Sequence, residues 1–339
     1  MHNRFDVVIT TYNRAESLSI LVLQILELEL VPQNIIIIDS SPIENKEIQE
    51  IDKVIYLKSS HGNQPYQRYL GTKISKEDIL IFMDDDMRIL DKNVFNIILN
   101  QYDTKDIIGV QPNFTNANEF LRDNLPKSKM KIKSKKVFNF IKLLTGYPSP
   151  KQGKISYCGI RGPKQKDALK VECFNGGVFS VRKEFIFTDK FNFQLFSIFE
   201  TRLGMGEDTI IGFEASRSGD IIYIEKSMFL HDDQKNSIYS VDILSYAKRV
   251  SYSRLYLSFE YRRLENKSKF IAFVHYNWYM LWRVIGLIIN FSLSPRSVKR
   301  KKMLRGYIEG WIKALKDSYS LSKQKDDYYW KNESKNDIN

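Results

Sequence analysis

Short apolar runs alternate with longer amphipathic segments along the N-terminal third of the 339-residue chain. Apolar runs bounded by polar residues are typical of strands that are buried on both faces of a sheet. The predicted strands cover residues 5–10, 35–38, 54–57, 79–83 and 107–110, and the amphipathic segments 15–28, 67–74 and 92–102 predict helices between them. Because such an alternation forms parallel sheets, the pattern predicts an α/β fold with a mostly parallel central sheet flanked by helices on both faces.

Three aspartates, Asp84-Asp85-Asp86, directly follow the apolar run 79–83. They emerge where a central strand leaves the sheet, which is the edge at which open α/β sheets bind ligands. Clustered carboxylates repel one another unless a cation lies between them, and Mg²⁺ or Mn²⁺ prefers carboxylate and phosphate oxygens. The triplet predicts a metal-bridged phosphate site, with a solvated acidic turn as the alternative.

The residues that follow the first two predicted strands are polar as well. Thr10 to Arg14 end the first strand, and Asn13 with Glu16 has the pattern of a capping box, which predicts the start of the first helix. Asp39 ends the second strand and places a further carboxylate at a strand end.

Residues 113–170 interrupt the strand–helix alternation. The segment is rich in Lys, Pro, Gly and Ser, which predicts an inserted loop with one short helix. Its basic stretch consists of Lys127, Lys129, Lys131, Lys133, Lys135 and Lys136. Such a stretch is either a solvated segment or a basic flap that contacts an acceptor or a membrane beside the phosphate site.

Regular structure is predicted to resume in residues 171–182, where the pair Gly176-Gly177 separates two strand-like runs. Glycines there either let backbone amides approach a ligand or form a plain hairpin turn. Further on, Glu207 and Asp208 open a helical stretch, and they serve either as a favourable helix start or as a second acidic pair of a site. His231 ends a later strand, where it could complete a metal site or could simply be packed.

The composition is that of a globular protein, with 43% hydrophobic and 13% aromatic residues. Two cysteines, Cys158 and Cys173, are too few for a disulfide framework or a zinc site and fit a reducing compartment. We expect cytoplasmic residence, since Arg4 and Asp6 interrupt any signal-peptide pattern. The formal charge of +12 indicates an anionic partner, whether nucleic acid, anionic lipid or a phosphorylated substrate.

Residues 236–339 are helical, aromatic and basic in pattern, and we predict that they form a region separate from a catalytic domain at 1–235. The segment 269–294 is too often interrupted for a spanning helix and predicts an amphipathic or core helix. A cluster of basic residues follows it: Arg296, Lys299, Arg300, Lys301, Lys302 and Arg305. This combination predicts either peripheral attachment to the inner face of the plasma membrane or packing on the catalytic domain with a solvated basic end.

Taken together and in this order, the motifs resemble those of family 2 glycosyltransferases with the GT-A fold. The motifs are Thr10-Thr11-Tyr12-Asn13-Arg14, Asp39-Ser40-Ser41, Asp84-Asp85-Asp86, Asn175-Gly176-Gly177, Gly206-Glu207-Asp208 and His231. The resemblance covers residues 4–235. Tyr69 stands where the family usually has Asn, Pro65 where Gly is common, and Ser40 where a second polar or acidic residue is frequent. The processive-synthase signature QxxRW is absent, so we expect one sugar to be transferred per encounter.

The resemblance implies an inverting, metal-dependent transferase that moves a sugar from a nucleotide diphosphate sugar to a hydroxyl of a saccharide or lipid-linked saccharide in polysaccharide biosynthesis. It implies Mn²⁺ or Mg²⁺ as cofactor, bound by Asp86 and His231, and Asp208 as the catalytic base. It implies donor nucleotide binding by Thr10, Tyr12, Arg14, Asp39, Arg68, Asp84 and Asp85, with Asp84 facing the ribose. It places Asn175, Gly176, Gly177 and Glu207 in the donor-sugar and acceptor region. A nucleic acid partner is not expected.

Three other classes of protein fit the sequence less well. A nicotinamide oxidoreductase would have G-x-G-x-x-G after the first strand, whereas this chain has Thr-Thr-Tyr-Asn-Arg. A nucleotidyltransferase of sugar metabolism would have a Gly-rich, Arg-containing N-terminal loop. A noncatalytic basic protein that binds nucleic acid would explain the charge but not the two acidic pairs.

Overall fold

The structure of the protein is a computed structural model that describes residues 4–116, 150–164, 167–232, 242–292, 295–323 and 328–338. Within these residues, nine strands form one mixed sheet in the order β3-β2-β1-β4-β8-β6-β9-β5, and β7 pairs with β9. The strands are β1 (Asp6–Thr11), β2 (Ile35–Asp39), β3 (Val54–Lys58), β4 (Ile79–Asp84), β5 (Met87–Ile89), β6 (Ile107–Asn116), β7 (Leu169–Val171), β8 (Val178–Arg182) and β9 (Asp220–His231). The lysine-rich stretch from Lys127 to Lys136, predicted to be a solvated segment or a basic flap, lies outside the described residues.

Helices cover both faces of the sheet and form the C-terminal part of the chain. They are α1 (Ala15–Leu26), α2 (Lys46–Gln49), α3 (Gln64–Ile74), α4 (Val94–Leu99), α5 (Gln194–Glu200), α6 (Glu207–Ala215), α7 (Ile243–Leu264), α8 (Lys269–Ser292), α9 (Val298–Lys316), α10 (Ser318–Leu321) and α11 (Tyr328–Ile338). The predicted α/β architecture with a C-terminal helical part is confirmed.

One strand, β8, runs against both of its neighbours in the middle of the sheet. Strands β3, β2, β1 and β4 are parallel to one another, and β8 lies antiparallel between β4 and β6. β6 and β9 are again parallel, and the short strands β5 and β7 are antiparallel to β9. The parallel half brings the carboxyl ends of β1, β2 and β4 to one edge.

Alternating side chains of the parallel strands build two separate cores, one on each face of the sheet. On β1, Val7 and Ile9 pack into the core beneath α1 and α4, while Val8 packs into the core beneath α3. All three side chains are fully buried, and each contributes about 1.5–3 kcal/mol relative to exposure. Gly71 lets α3 approach β1 closely, since a Cβ there would lie 2.3 Å from a methyl carbon of Val8.

Several predicted boundaries differ from the structure. Asn13 does not cap α1; it adopts a left-handed conformation with φ 54°, and its backbone N–H instead donates to the Ser41 hydroxyl. The glycine pair does not form a hairpin, because β7 and β8 pair with different strands. The strand that ends at His231 is longer than a local pattern indicates: β9 runs continuously from Asp220 and bulges against β6. These features depend on long-range pairing that a local pattern does not show.

The C-terminal helices pack on one another and on the α/β region. Gly306 and Gly310 of α9 lie against the backbone of α7, where added Cβ atoms would come within 2.4 Å of backbone oxygens of α7. Trp330 of α11 returns to the α/β region and packs against Tyr66 of α3, with ring centroids 5.1 Å apart. Among the described residues, no helix has the length and apolar character needed to span a bilayer. The domain boundary at 235/236 stays a prediction.

Candidate active site

Strands β1, β2 and β4 place polar residues side by side at their carboxyl ends. Thr10 pairs in register with Asp84, and Thr11 pairs with Asp39. Tyr12 follows β1 and is 44% exposed at this edge. The parallel register therefore assembles residues from three distant parts of the sequence, as the strand-end pattern predicts.

Arg68 joins the two acidic motifs. Its guanidinium donates to Asp84 Oδ1 at 2.8 Å and to Glu207 Oε1 at 2.9 Å, and its side chain is only 1% exposed. Asp84 also accepts a hydrogen bond of 2.8 Å from Gln64. Because α3 packs closely on the sheet at Gly71, one turn after Arg68, the arginine is held between the end of β4 and the start of α6. The acidic motifs around residues 84 and 207 thus belong to one site.

Arg14 holds the other two aspartates of the triplet. Its Nη1 lies 2.7 Å from Asp85 Oδ1 and 2.6 Å from Asp86 Oδ2. The Thr11 hydroxyl donates to Asp85 Oδ2 at 2.7 Å, and the Ser17 hydroxyl donates to the Asp85 carbonyl at 2.8 Å. Burial raises the pKa of Asp85 to about 6, although Arg14 and Thr11 favour its ionised form. Asp85 is therefore enclosed by protein groups and fixes the turn after β4.

Asp86 faces His231 across the turn. The His231 Nε2 lies 3.3 Å from Asp86 Oδ1, because β5 pairs with β9 and puts Met87 opposite His231. Burial opposes ionisation of Asp86, but His231 and Arg14 outweigh it and hold its pKa below the ordinary value. Burial raises the pKa of Asp84, and the nearby Asp86 carboxylate adds to the effect.

These side chains suit a hard divalent cation. Asp86 Oδ1 is buried and accepts no hydrogen bond of good geometry from the described residues. Asp84, Asp86 and His231 together offer the oxygen and imidazole donors that such ions accept. Within the described part of the chain, however, no three His, Cys, Asp or Glu side chains are already arranged as a metal site.

Glu207 and Asp208 open α6 behind Gly206, whose left-handed φ of 84° turns the chain into the helix. Asp208 Oδ2 accepts a hydrogen bond of 2.6 Å from Arg161 and another from the backbone N–H of Gly176. Burial opposes ionisation of Asp208, but Arg161, Arg68 and Gly176 N–H together hold its pKa below the ordinary value. Burial and the neighbouring Asp208 charge raise the pKa of Glu207. The pKa values of these two adjacent carboxyl groups are therefore shifted in opposite directions.

Asn175, Gly176 and Gly177 line the side of the site between Asp84 and Asp208. The Gly177 carbonyl accepts from the Asp84 N–H at 2.8 Å, and Gly177 has φ 102°, a conformation that favours glycine. Gly176 contacts Asp208 as described. The glycine pair therefore brings backbone close to both acidic motifs.

A cavity of about 230 Å³ opens beside the ends of β1 and β2. Its lining includes Thr11, Arg14, Asp39, Ser41 and Asn45. The Tyr56 hydroxyl and the Ser41 hydroxyl both donate to Asp39, so this buried carboxylate is fixed in place at the wall of the cavity.

Sequence reasoning missed several residues of this site. Arg161 was not among the predicted residues, because it lies in the irregular segment before β7 and reaches Asp208 and Asn175 only through the fold. Gln67 donates to the carbonyls of Thr11 and Ile38 and joins the ends of β1 and β2. Gln64 and Tyr56 were missed as well. Ser41 belongs to the quoted motif Asp39-Ser40-Ser41 but was given no role, although a serine two residues after an aspartate in a turn is a recognisable hydrogen-bonding partner.

Part of the chain matches a known protein family. Residues 6–158 match the family model described as glycosyl transferase family 2, which confirms the resemblance over that segment. No curated protein sequence matches the chain significantly.

The fold has solved counterparts. The S. aureus TarS 1–349 structure in complex with UDP-GlcNAc matches 94% of this chain and 82% of its own, with 13% identity and a TM-score of 0.52. The Pyrobaculum calidifontis mannosyltransferase PcManGT, in complex with GDP-Man and Mn²⁺, matches 92% of this chain and 87% of its own, with 11% identity and a TM-score of 0.49. The TarS match confirms the predicted GT-A fold, and the family match supports glycosyl transfer as the class of activity.

Proposed function

We propose that the protein is an inverting, metal-dependent glycosyltransferase that moves a sugar from a nucleotide diphosphate sugar to a hydroxyl of a saccharide or lipid-linked saccharide in polysaccharide biosynthesis. One observation carries the proposal: buried Arg68 binds Asp84 at the end of β4 and Glu207 at the start of α6. This contact supports the proposal, because it joins the strand end that we assign to the diphosphate with the helix start that carries the candidate base, Asp208.

The donor nucleoside fits the cavity beside β1 and β2. Asp39 supplies a fixed acceptor for N–H or O–H groups of the nucleoside. Tyr12 follows β1 and offers an exposed aromatic ring at the same edge of the sheet. Asp84 lies next along the edge, in register with Thr10, where it would meet the ribose. Arg14 and Arg68 supply positive charge on either side of Asp84 and Asp86, toward which a diphosphate is attracted.

Asp86 and His231 would hold the divalent metal, with Asp84 close by. When bound, Mn²⁺ or Mg²⁺ would supply Lewis-acid neutralisation of the departing diphosphate. Asp86 offers a carboxylate oxygen and His231 an imidazole nitrogen, which are donor types that such a cation accepts.

Asp208 is the base for the acceptor hydroxyl. Its Oδ2 is held by Arg161 and Gly176, whereas its Oδ1 meets only the hydroxyl of the adjacent Thr209, at 3.2 Å, among its described contacts. In the transfer step the hydroxyl oxygen bonds to the anomeric carbon, the hydroxyl proton passes to Asp208 Oδ1, and the sugar–phosphate bond breaks with its electrons on the diphosphate oxygen. Attack opposite the leaving group inverts the anomeric centre.

Nucleotide binding tests the donor and metal assignment without an acceptor. A thermal-shift panel of UDP, GDP, dTDP and CMP, each with and without Mn²⁺, should give metal-dependent stabilisation by one nucleoside diphosphate, worth about 2.7 kcal/mol at a ligand concentration 100 times its Kd. UDP comes first, since the TarS structure contains UDP-GlcNAc. Asp86→Ala should abolish the Mn²⁺-dependent part of the shift.

The matched control is Asp78→Ala, which removes an exposed aspartate just before the opposite end of β4. It should respond to nucleotide and Mn²⁺ as the wild type does. An unchanged Mn²⁺-dependent shift in Asp86→Ala would refute the metal role, and the absence of a shift with every nucleotide would refute the donor class.

The pH dependence of transfer should reveal the effect of Arg161 on the base. Arg161 lowers the pKa of Asp208. Wild-type kcat/KM should therefore fall only when the pH drops below the ordinary pKa of an aspartate side chain. Arg161→Met removes that charge, so the Asp208 pKa rises and the acid limb of the profile moves to higher pH. Arg161→Lys should keep most of the wild-type profile, and an acid limb unmoved in Arg161→Met would exclude this coupling.

A further inference from the structure

One face of α8 is apolar and exposed. Seven of its side chains are between 42% and 73% exposed: Phe270, Ile271, Val274, Trp278, Leu281, Ile288 and Ile289. At 3.6 residues per turn they fall within an arc of roughly 100° along the whole helix. We call these residues the α8 stripe. Single exposed apolar residues are ordinary, but a continuous stripe marks an interaction surface.

Packing fixes the direction in which the stripe faces. The opposite face of α8 is buried, with Tyr276 donating to the Ser251 carbonyl of α7 at 3.0 Å. Asn277 accepts from the Trp311 indole of α9 at 2.9 Å. The buried face of α8 is thus anchored on α7, so the stripe faces away from α7. α8 therefore has one apolar face that is packed and a second apolar face that is exposed.

A basic cluster adjoins one end of the stripe. Arg283 of α8 stacks on Tyr307 of α9, 5.0 Å from the ring centroid, and the earlier residue Asn277 contacts the later residue Trp311, so the two helices run antiparallel. The start of α9 therefore lies beside the end of α8. Exposed basic side chains occupy this start and the turn before it: Arg296, Lys299, Lys301 and Lys302. We call these four residues the basic cluster. Residues 269–308 contain no Asp or Glu.

We infer that the α8 stripe and the basic cluster form a docking surface for an anionic phospholipid bilayer. An amphipathic helix with an apolar face, interfacial tryptophan and adjacent Lys and Arg inserts its apolar face at the boundary between headgroups and acyl chains. Each basic residue adds attraction to anionic headgroups. Charge argues against a second copy of the chain as the occupant, since each copy carries +12. The inference does not depend on the proposed catalytic function.

Vesicle co-sedimentation of the full chain tests the surface. We expect binding to phosphatidylcholine vesicles that contain a quarter phosphatidylglycerol, and binding at least tenfold weaker to pure phosphatidylcholine. The variant Lys299→Gln/Lys301→Gln/Lys302→Gln should lose roughly 10–100-fold in affinity for the anionic vesicles. The variant Val274→Ser/Trp278→Ser/Leu281→Ser should lose at least tenfold on both kinds of vesicle.

Matched variants elsewhere control for the loss of charge and of apolar surface. Lys46→Gln/Lys76→Gln/Lys105→Gln removes three exposed lysines far from α8, and it should bind anionic vesicles within twofold of wild type. Ile20→Ser/Leu23→Ser/Ile55→Ser removes exposed apolar side chains from α1 and β3 and should also bind as wild type. Circular dichroism melts of each variant verify folding.

Tryptophan fluorescence reports insertion directly. On anionic vesicles the emission should shift to shorter wavelength, and most of that shift should disappear in Trp278→Phe, which stays apolar and should still sediment. Equal binding to both vesicle types, or wild-type binding by the lysine and stripe variants, would overturn the inference. A concentration-dependent dimer that only the stripe variant dissolves would assign the face to a second copy instead.

Discussion

Replacing Asp208 with Asn should reduce kcat by about 10²–10⁴-fold, the usual contribution of a general base. The amide has the shape of the carboxylate and can still accept from Arg161 and Gly176 N–H through one oxygen, so the fold and the donor site should be retained. It cannot take up the acceptor proton. Release of nucleoside diphosphate, measured with the donor that the thermal-shift panel identifies, gives kcat. Thermal shift of the variant with the same nucleotide checks donor binding.

Glu214→Gln is the matched control on the same helix. Glu214 is also buried, burial raises its pKa to about 7, and it accepts from Thr188 two turns away from Asp208. Because it lies outside the site, its change to an amide should leave kcat within about twofold of wild type, as for substitutions away from special features. If Asp208→Asn kept kcat within fivefold of the wild-type value, another group would have to be the base.

The strand ends of the site were predictable from the sequence because they depend on local pattern. A buried apolar run that stops at Asp39 or Asp84 places that acid at a sheet edge whatever the rest of the fold does. The order of the motifs then supplied the family resemblance. The antiparallel insertion of β8 between β4 and β6 could not be predicted, since strand pairing over such sequence distances has no local signal.

The arginines show where sequence reasoning stops. The resemblance places Arg68 toward the nucleotide, which stays a prediction; in the structure it lies buried between Asp84 and Glu207. Arg161 reaches Asp208 across 47 residues from a segment without hydrophobic periodicity. Charge partners of this kind follow from tertiary packing, so neither the pair nor its effect on the Asp208 pKa could be read from the chain.

Helix α7 connects the candidate site with the proposed docking surface. Arg249 donates to the Gly204 carbonyl at 2.7 Å and Ser253 to the Leu203 carbonyl at 2.6 Å, so α7 braces the loop that leads into Glu207. α8 packs against α7 through Tyr276, which lies on the face opposite the α8 stripe. α7 therefore links the loop before the candidate base to the helix that carries the stripe.

Replacing Arg68 with Met should lower the free energy of unfolding by about 3–5 kcal/mol at neutral pH, because removing one partner leaves buried charges uncompensated. Asp84 and Glu207 would lose their shared cation while remaining next to Asp86 and Asp208. Urea unfolding of the ligand-free chain measures the loss. The same variant should lose most donor binding, since Asp84 is no longer held.

The stability loss in Arg68→Met should also depend on pH. Burial already raises the Glu207 pKa, and loss of Arg68 raises it further above the unfolded value. A carboxyl group with a raised folded-state pKa stabilises the fold when protonated and loses that contribution as pH rises through the folded pKa. The deficit should therefore shrink as the pH falls toward the unfolded-state pKa of about 4.3.

Arg182→Met is the control, since Arg182 binds the carbonyls of Tyr102 and Ile107 and no described carboxylate. Its deficit should be smaller and constant with pH, and equal behaviour of the two variants would show that Arg68 does not neutralise the paired acids.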